Sequence, residues 1–222
     1  MEKIEEKIGH KFQNKKLLEK ALTHTSYAYE KHVESNEKLE FLGDSILEFI
    51  TSKYLYLKYP NLTEGEMTKV RATVVCEKSL HKIAKLHGFS DFLYLGKSEQ
   101  LSGGRNRPAI LADSVEAVIA AMYLDGGIES AEKFIIDNLK QEIEEATKNV
   151  GSKDHKTVLQ EKLQEHGEVK IEYEITKETG PDHNKNFEAQ VKYNGKILAK
   201  GTGKSKKEAE MQAAKKALEE LI

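Results

Sequence analysis

The sequence predicts a mainly α-helical fold, in which a large all-helical domain is followed by a small domain of α-β-β-β-α order. Apolar residues recur at helical spacing through most of residues 1–148, which is the pattern of amphipathic helices around a shared core. They alternate with polar residues over 169–175 and again over 187–193, which is the pattern of half-buried strands. Asn194-Gly195 then gives a strong hairpin signal before a third strand.

Composition places the chain among globular proteins and excludes several other classes. Of 222 residues, 38% are hydrophobic and 32% are charged, with a net charge of −2, so neither a disordered chain nor a strongly basic nucleic-acid binder is indicated. No apolar run approaches the roughly 18 residues of a membrane helix. The charged first residues lack the apolar stretch of a signal peptide. The single cysteine, Cys76, excludes an internal disulfide. We therefore expect a cytoplasmic protein with no membrane partner.

The helices of the first domain are read from apolar spacing and from the residues that stop them. Six stretches are predicted as helices: 17–22, 38–57, 66–75, 77–87, 110–124 and 130–148. The second of them is stopped by Tyr59-Pro60 and the fourth by Gly88, since proline and glycine commonly end helices. Asp125-Gly126-Gly127 closes the fifth.

The pattern changes at the polar, glycine-containing segment 149–153, which is predicted as a flexible linker. We therefore assign residues 1–148 to the helical domain and 154–222 to the small domain. The small domain begins with a helix over 157–166, continues with three strands, and closes with a helix over 205–221. A unit of about 70 residues is long enough to fold on its own.

Acidic residues recur on two of the predicted helices at spacings that align their side chains. Glu37, Glu40 and Asp44 stand at i, i+3 and i+7. Asp113 and Glu116 stand at i and i+3 on a helix that is otherwise apolar. Residues separated by three positions share a helix face, so each set of carboxylates projects together.

The second acidic pair lies on a helix that supplies no positive charge. Residues 110–123 contain no Lys or Arg, and unpaired buried carboxylates are costly. Packing of the two acidic helices against each other would gather four carboxylates: Glu40, Asp44, Asp113 and Glu116. Four oxygen ligands without His or Cys suit Mg²⁺ or Mn²⁺. For either helix alone, a solvated acidic face remains an open alternative.

Two residues near these helices each have two interpretations. Phe41 projects away from the apolar stripe of its helix, beside the acidic face. It either folds into a neighbouring loop or contacts a second subunit, since exposed aromatic residues mark interfaces. His24 is either a catalytic base or, as we favour, a residue held in a structural hydrogen bond.

Four stretches of the helical domain resemble motifs of the ribonuclease III family. Residues 36–44, Asn-Glu-Lys-Leu-Glu-Phe-Leu-Gly-Asp, resemble the family signature, and residues 22–28 resemble its early His-x-Ser-Tyr motif. Residues 102–113 resemble the approach to its second acidic helix, and residues 123–127 resemble the end of that helix. The small domain resembles a double-stranded-RNA-binding domain, so the resemblance to the compact bacterial enzyme covers nearly the whole chain.

The resemblance implies an endoribonuclease that cleaves double-stranded RNA by Mg²⁺-dependent phosphodiester hydrolysis, with Mn²⁺ as a substitute and no small-molecule cofactor. Glu40, Asp44, Asp113 and Glu116 would bind the metal. Asp44 and Glu116 would be essential to catalysis, and Glu37 would assist. The enzyme would be a homodimer, with Phe41 at its interface, in which each site cuts one strand. The products would carry 5′-phosphate and 3′-hydroxyl ends with a short 3′ overhang, in the processing of ribosomal and other structured RNA precursors.

Lysines concentrate before and within the first turn of the last predicted helix. Residues 196–207 contain five Lys and no acid, and helix amides at this point also favour phosphate. A solvated lysine face is the alternative, but the resemblance implies that Lys204, Lys206 and Lys207 contact RNA phosphates. It further implies that four polar residues reach 2′-hydroxyls in the minor grooves: Gln160, Glu161, Gln164 and His183. Arg105 and Arg107 of the helical domain are either phosphate contacts or parts of a mobile polar loop.

The alternative function is a noncatalytic double-stranded-RNA-binding homodimer. The four acidic residues favour the nuclease, because a binding protein needs no cation site. A metal-dependent phosphohydrolase of small phosphates is a third possibility, and it would leave the second domain without a role.

Overall fold

The computed structural model describes residues 2–150, 155–164, 170–181 and 185–221, apart from the side chain of Asn149. The chain divides into two compact units, residues 1–151 and 152–222, which are described one at a time. Most of the linker predicted at 149–153 lies outside the described residues, so the linker and the domain bounds stay predictions. Within the described ranges, no helix is long and apolar enough to cross a membrane.

The first unit is helical, as its apolar periodicity predicts. Its helices are α1 Glu2–Ile8, α2 Lys15–Ala21, α3 Thr25–Lys31, α4 Glu37–Lys58, α5 Glu64–Val74, α6 Glu77–His87, α7 Lys97–Leu101 and α8 Pro108–Val150. Short 3₁₀ turns lie at Phe89–Asp91 and Gly104–Asn106. Thr23 and Tyr94 form a single parallel bridge that joins the segment before α3 to the segment before α7.

The centre of this unit is the packing of α4 against α8. α4 buries Leu47 and Ile50 completely, and α8 buries Val115 and Val118 completely. Each such side chain stabilises the fold by about 1.5–3 kcal/mol relative to its exposure to water. The same packing places the acidic segment of α4 beside the acidic segment of α8.

The ends of two predicted helices have different outcomes. The stop predicted at Gly88 is confirmed, since this residue caps α6 in the left-handed conformation. The break predicted at Asp125-Gly126-Gly127 is a kink within one continuous element, α8, where Gly127 has φ 80° and ψ 179°. Glycine alone adopts this conformation without strain.

The second unit has the predicted α-β-β-β-α order. Its elements are α9 His155–Gln164, β1 Ile171–Thr179, β2 Asn186–Tyr193, β3 Lys196–Gly203 and α10 Lys206–Glu220. The strands form an antiparallel sheet in the order β1-β2-β3. The predicted hairpin turn is confirmed, because Asn194 and Gly195 both have positive φ, as type I′ turns require.

One small core holds this second unit together. The strand register aligns Tyr173 with Val191 and Val191 with Ala199, so these three side chains point to the same face of the sheet. Leu159 of α9 and Ala213 of α10 pack against that face. The opposite faces of both helices are left for solvent or for a ligand.

Candidate active site and RNA-binding surface

Three carboxylates from α4 and α8 meet in one cluster. Glu40, Asp113 and Glu116 are part-buried, and each offers an oxygen that lies within 4.8 Å of the oxygens offered by the other two. We call these three residues the acidic cluster. Because α4 supplies Glu40 and α8 supplies the i, i+3 pair, the cluster exists only while the two helices stay in contact.

Gly43 allows α4 and α8 to approach closely beside the acidic cluster. A Cβ atom added at Gly43 would lie 1.8 Å from the backbone oxygen of Glu116 and 2.5 Å from its carbonyl carbon. Atoms cannot be this close, so any side chain at this position would force the helices apart. A glycine within a helix interior costs about 1 kcal/mol relative to alanine, and here it is required by the helix contact.

Burial and mutual repulsion raise the pKa values of the cluster. Burial, followed by the charges of Asp44, Glu40 and Asp113, raises the pKa of Glu116 to about 8. Burial is also the main cause that raises the pKa of Glu40, with contributions from Asp113, Glu37 and Asp44. The pKa of Asp113 is raised by burial and by Glu77, while His24 acts to lower it. The cluster therefore holds at least one proton near neutral pH unless a cation replaces it.

These pKa shifts predict that the metal-free protein loses stability as pH rises from about 4.5 to about 8. Within this range the unfolded chain has released the Glu116 proton, for which the ordinary pKa is 4.5, whereas the folded chain still holds it. Stability falls with pH wherever the folded state binds more protons. At about 1.4 kcal/mol per pH unit, reduced for partial solvation, we expect a loss of roughly 2 kcal/mol.

The measurement is urea unfolding in EDTA across this pH range, for the wild type and for Glu116→Gln. The variant keeps the shape of the side chain but does not titrate, so its stability should depend less on pH and should exceed that of the wild type near pH 8. The same pH dependence in both proteins would contradict the shifted pKa.

The structure places the other two predicted acidic residues beside the cluster. Asp44 is not among the three residues whose oxygens meet, but its charge raises the pKa values of Glu40 and Glu116. Glu37 is exposed, acts electrostatically on Glu40, and accepts a hydrogen bond of 2.8 Å from the hydroxyl of Ser35. The catalytic and metal-binding roles of all these residues stay predictions.

Phe41 lies on the outer surface of α4, where its side chain is 78% exposed. Phe49 and Tyr56, at 57% and 71% exposure, follow at spacings of eight and seven residues, which keeps them on nearly the same helix face. The interpretation that Phe41 folds into a neighbouring loop is therefore wrong for the isolated chain. Its role at a subunit interface stays a prediction.

The two arginines of the predicted RNA-contacting loop both have partners within the protein. Arg105 donates to the carbonyl oxygens of Ser90 and Leu93, which favours a structural role for its guanidinium group. Arg107 forms a 2.8 Å ion pair with Glu99 and remains about half exposed. A phosphate contact stays a prediction for both residues, and Arg107 is the more accessible of the two.

The predicted RNA-binding residues of the second unit lie on exposed faces, with one exception. α9 buries Leu159 and Leu163 and exposes Gln160, Glu161 and Gln164. His183 lies outside the described residues. The third group, Lys204, Lys206 and Lys207, is exposed at the start of α10.

Three residues near the cluster were not predicted as parts of the site. Gly43 had a detectable signal, because glycine in a helix interior commonly marks a close approach. Glu77 and His24 come from other segments and act electrostatically on Asp113, so spacing within the chain gives no sign of them. His24 itself forms the structural hydrogen bond that we favoured, as the N-cap of α3.

Comparison with known proteins agrees with this arrangement of helices, cluster and second unit. A family model described as Ribonuclease-III-like matches residues 14–143. The chain belongs to the ribonuclease III family. A second model, the double-stranded RNA binding motif, matches residues 155–221. Together the matches cover the helical unit with its acidic cluster and the α-β-β-β-α unit.

Individual relatives of the ribonuclease III family are similar along the whole chain or along its first unit. Ribonuclease 3 of Caldanaerobacter subterraneus subsp. tengcongensis is 49% identical over 220 residues, covering 98% of this chain and 96% of the relative. The crystal structure of the nuclease domain of ribonuclease III from Campylobacter jejuni is 38% identical with a TM-score of 0.60, covering 64% of this chain and 94% of that one.

A second structure of the Campylobacter jejuni nuclease domain, described for flexibility in a region involved in dimer formation, is 39% identical with a TM-score of 0.59. It covers 63% of this chain and 98% of that one. The chain is an endoribonuclease of the ribonuclease III type.

Proposed function

We propose that the acidic cluster, together with Asp44, binds a divalent cation and that the chain uses it to hydrolyse phosphodiester bonds in double-stranded RNA. The observation that carries this proposal is the convergence of three carboxylates from two helices. Its support comes from a second unit that matches the double-stranded RNA binding motif. A nuclease for paired RNA needs both parts, one to cut and one to recognise the duplex.

The donor set of the cluster fits Mg²⁺, with Mn²⁺ as a substitute. All three residues offer carboxylate oxygens, which hard cations prefer, and His and Cys ligands of softer metals are not among them. When bound, such a cation would polarise the phosphodiester and acidify a water for attack. Glu40, Asp113 and Glu116 would hold it, and Asp44 would complete the set from one turn further along α4.

The protein's own residues have two further tasks in this reaction. Glu116, with its pKa near 8, holds a proton at neutral pH and has to release it when a cation binds. The cluster would otherwise repel an RNA phosphate, because like charges in a part-buried site interact strongly. Glu37, exposed at the edge of the same helix face, would assist where the substrate enters. RNA and cation are thus expected to bind cooperatively.

The proposed cleavage is tested with a long, perfectly paired RNA incubated with and without Mg²⁺. We expect cutting only with the cation, and products with 5′-phosphate and 3′-hydroxyl ends and a short 3′ overhang. Tight duplex binding without cutting under Mg²⁺ or Mn²⁺ would instead support the noncatalytic binding homodimer. Ribosomal and other structured RNA precursors are the substrates that we propose in a cytoplasmic location, which the charged, cysteine-poor composition favours.

The second unit would hold the duplex by its shape. Exposed Gln160, Glu161 and Gln164 share the outer side of α9 and carry groups that donate to or accept from ribose hydroxyls. The lysines at the start of α10 are exposed beside a helix N-terminus, where phosphate is favoured. A double-stranded-RNA-binding domain contacts two minor grooves and the phosphates between them in this way.

Replacing Lys206 and Lys207 by Gln should weaken duplex binding and reduce its salt dependence. Each lost phosphate contact lowers the slope of log affinity against log salt by about 0.7–0.9, so we expect a reduction of up to roughly 1.5 for the pair. The matched control replaces Lys215 and Lys216, which are exposed later on the same helix. Equal effects of both pairs on a salt titration would show that only overall charge matters.

The homodimer that we propose would use the exposed apolar face of α4. Phe41 is the residue of that face nearest the acidic segment and is 78% exposed. Phe41→Ala should weaken self-association at least tenfold in sedimentation equilibrium, because buried aromatic residues dominate interface energetics. Leu86→Ala is a control of similar exposure, 75%, on α6. An unchanged dimer in the Phe41 variant would remove this residue from the interface.

A further inference from the structure

His24 is held rigidly at the edge of the acidic cluster by backbone contacts on both sides. Its amide donates to the carbonyl of Tyr94 at 3.1 Å, and the neighbouring Thr23 carbonyl accepts from the amide of Asn36 at 2.8 Å. His24 is also the N-cap of α3, with its side chain accepting from the amide of Ser26. The imidazole ring is therefore positioned by three separate segments of the chain.

The hydrogen bonds around the ring determine which nitrogen carries the proton. Nδ1 accepts from the Ser26 amide at 3.2 Å and lies 2.8 Å from the Ser26 hydroxyl oxygen. That hydroxyl accepts from the amide of Gly96 at 2.9 Å, which leaves its own proton to donate to Nδ1. Nδ1 is thus an acceptor in both contacts, and the ring proton of the neutral form lies on Nε2.

The Nε2–H group remains available for a further acceptor. No described residue within hydrogen-bond distance pairs with Nε2, whereas Nδ1 is fully used. The ring is part-exposed and close enough to Asp113 to influence it electrostatically, opposing the effect of burial on that carboxyl. A fixed donor with its free N–H beside a metal-binding carboxylate matches the outer hydrogen bonds that orient metal ligands.

We propose that the Nε2–H of His24 donates to Asp113 when a cation occupies the acidic cluster, and that this bond fixes the carboxylate in its cation-binding orientation. The inference rests on the proposed function of the cluster. His24 is a positioning residue in this account, since it acts through Asp113. Loss of such an outer partner typically weakens metal binding by 10- to 100-fold.

His24→Asn separates this role from helix capping. Asparagine is among the best N-cap residues, and its Oδ1 takes the place of Nδ1 as acceptor for the Ser26 amide, while its side chain is too short to replace Nε2. We expect wild-type thermal stability and Mn²⁺ binding that is 10- to 100-fold weaker by calorimetry. His24→Gln restores a donor at the longer reach and should recover part of the affinity.

Ser26→Ala provides a second variant that keeps the capping amide. It removes the hydroxyl that fixes the proton on Nε2, so it should weaken Mn²⁺ binding in the same direction but less. Wild-type affinity in both His24→Asn and Ser26→Ala would overturn the proposal and leave His24 as a helix cap only. Failure of the wild-type chain itself to bind Mn²⁺ would overturn the cation site, and the role of His24 with it.

Discussion

Replacement of Glu116 by Gln is expected to abolish RNA cleavage while the duplex still binds. The glutamine would keep the volume of the side chain and would leave α8 intact, but the change removes the one carboxylate whose charge all the other members of the site act upon. We expect a loss of cleavage rate on the order of 10³-fold or more, which corresponds to about 4 kcal/mol of transition-state stabilisation. Single-turnover cleavage and a binding assay in parallel measure the two effects.

The matched control for this variant is Glu145→Gln on the same helix. Glu145 is exposed and its only described hydrogen bond is with Gln141, one turn earlier, so its replacement should leave cleavage unchanged. Binding should survive in both variants, because the second unit carries the predicted duplex contacts. Wild-type cleavage by Glu116→Gln would remove this residue from the site.

Gly43→Ala is expected to reduce both cleavage and folding stability, although the new side chain is a single methyl group. The added Cβ would meet the carbonyl oxygen of Glu116 at 1.8 Å, and a backbone atom within α8 cannot rotate away. The helices would have to separate, and overpacking of this kind costs about 1–3 kcal/mol. The shift would move Glu40 away from Asp113 and Glu116, so cleavage should fall further than stability alone explains.

A second glycine of the same unit supplies the control for this prediction. Gly65 lies in α5, and an added Cβ there has no neighbour within 4 Å. Gly65→Ala should therefore leave cleavage unchanged and raise stability by up to about 1 kcal/mol, as helix propensity predicts. Thermal unfolding of both variants measures the difference. An active, fully stable Gly43→Ala protein would contradict the close approach of α4 and α8.

Helical periodicity accounts for the parts of the fold that the sequence predicts well. The stops at Gly88 and at the Asn194-Gly195 turn depend on local backbone conformation, and both are confirmed. The alignment of Asp113 with Glu116 likewise follows from the 3.6-residue repeat. These features need only neighbouring residues, so a single sequence contains the information.

Contacts between distant segments explain what the sequence does not predict. His24 and Glu77 act on Asp113 from other parts of the chain, and no spacing rule connects them. The guanidinium group of Arg105 donates to backbone carbonyls, which any loop residue can offer. The continuity of α8 through Gly127 depends on packing along its whole length rather than on the local Asp-Gly-Gly signal.

The most direct test of the central claim is to locate the cation itself. Crystals of the full chain soaked in Mn²⁺ should show, at the manganese absorption edge, an anomalous difference peak between the carboxylates of Glu40, Asp113 and Glu116, with Asp44 alongside. The same soak of Glu116→Gln crystals should weaken or remove that peak. A strong peak elsewhere, with none at the acidic cluster in the wild type, would contradict the assignment of these residues as the catalytic metal site.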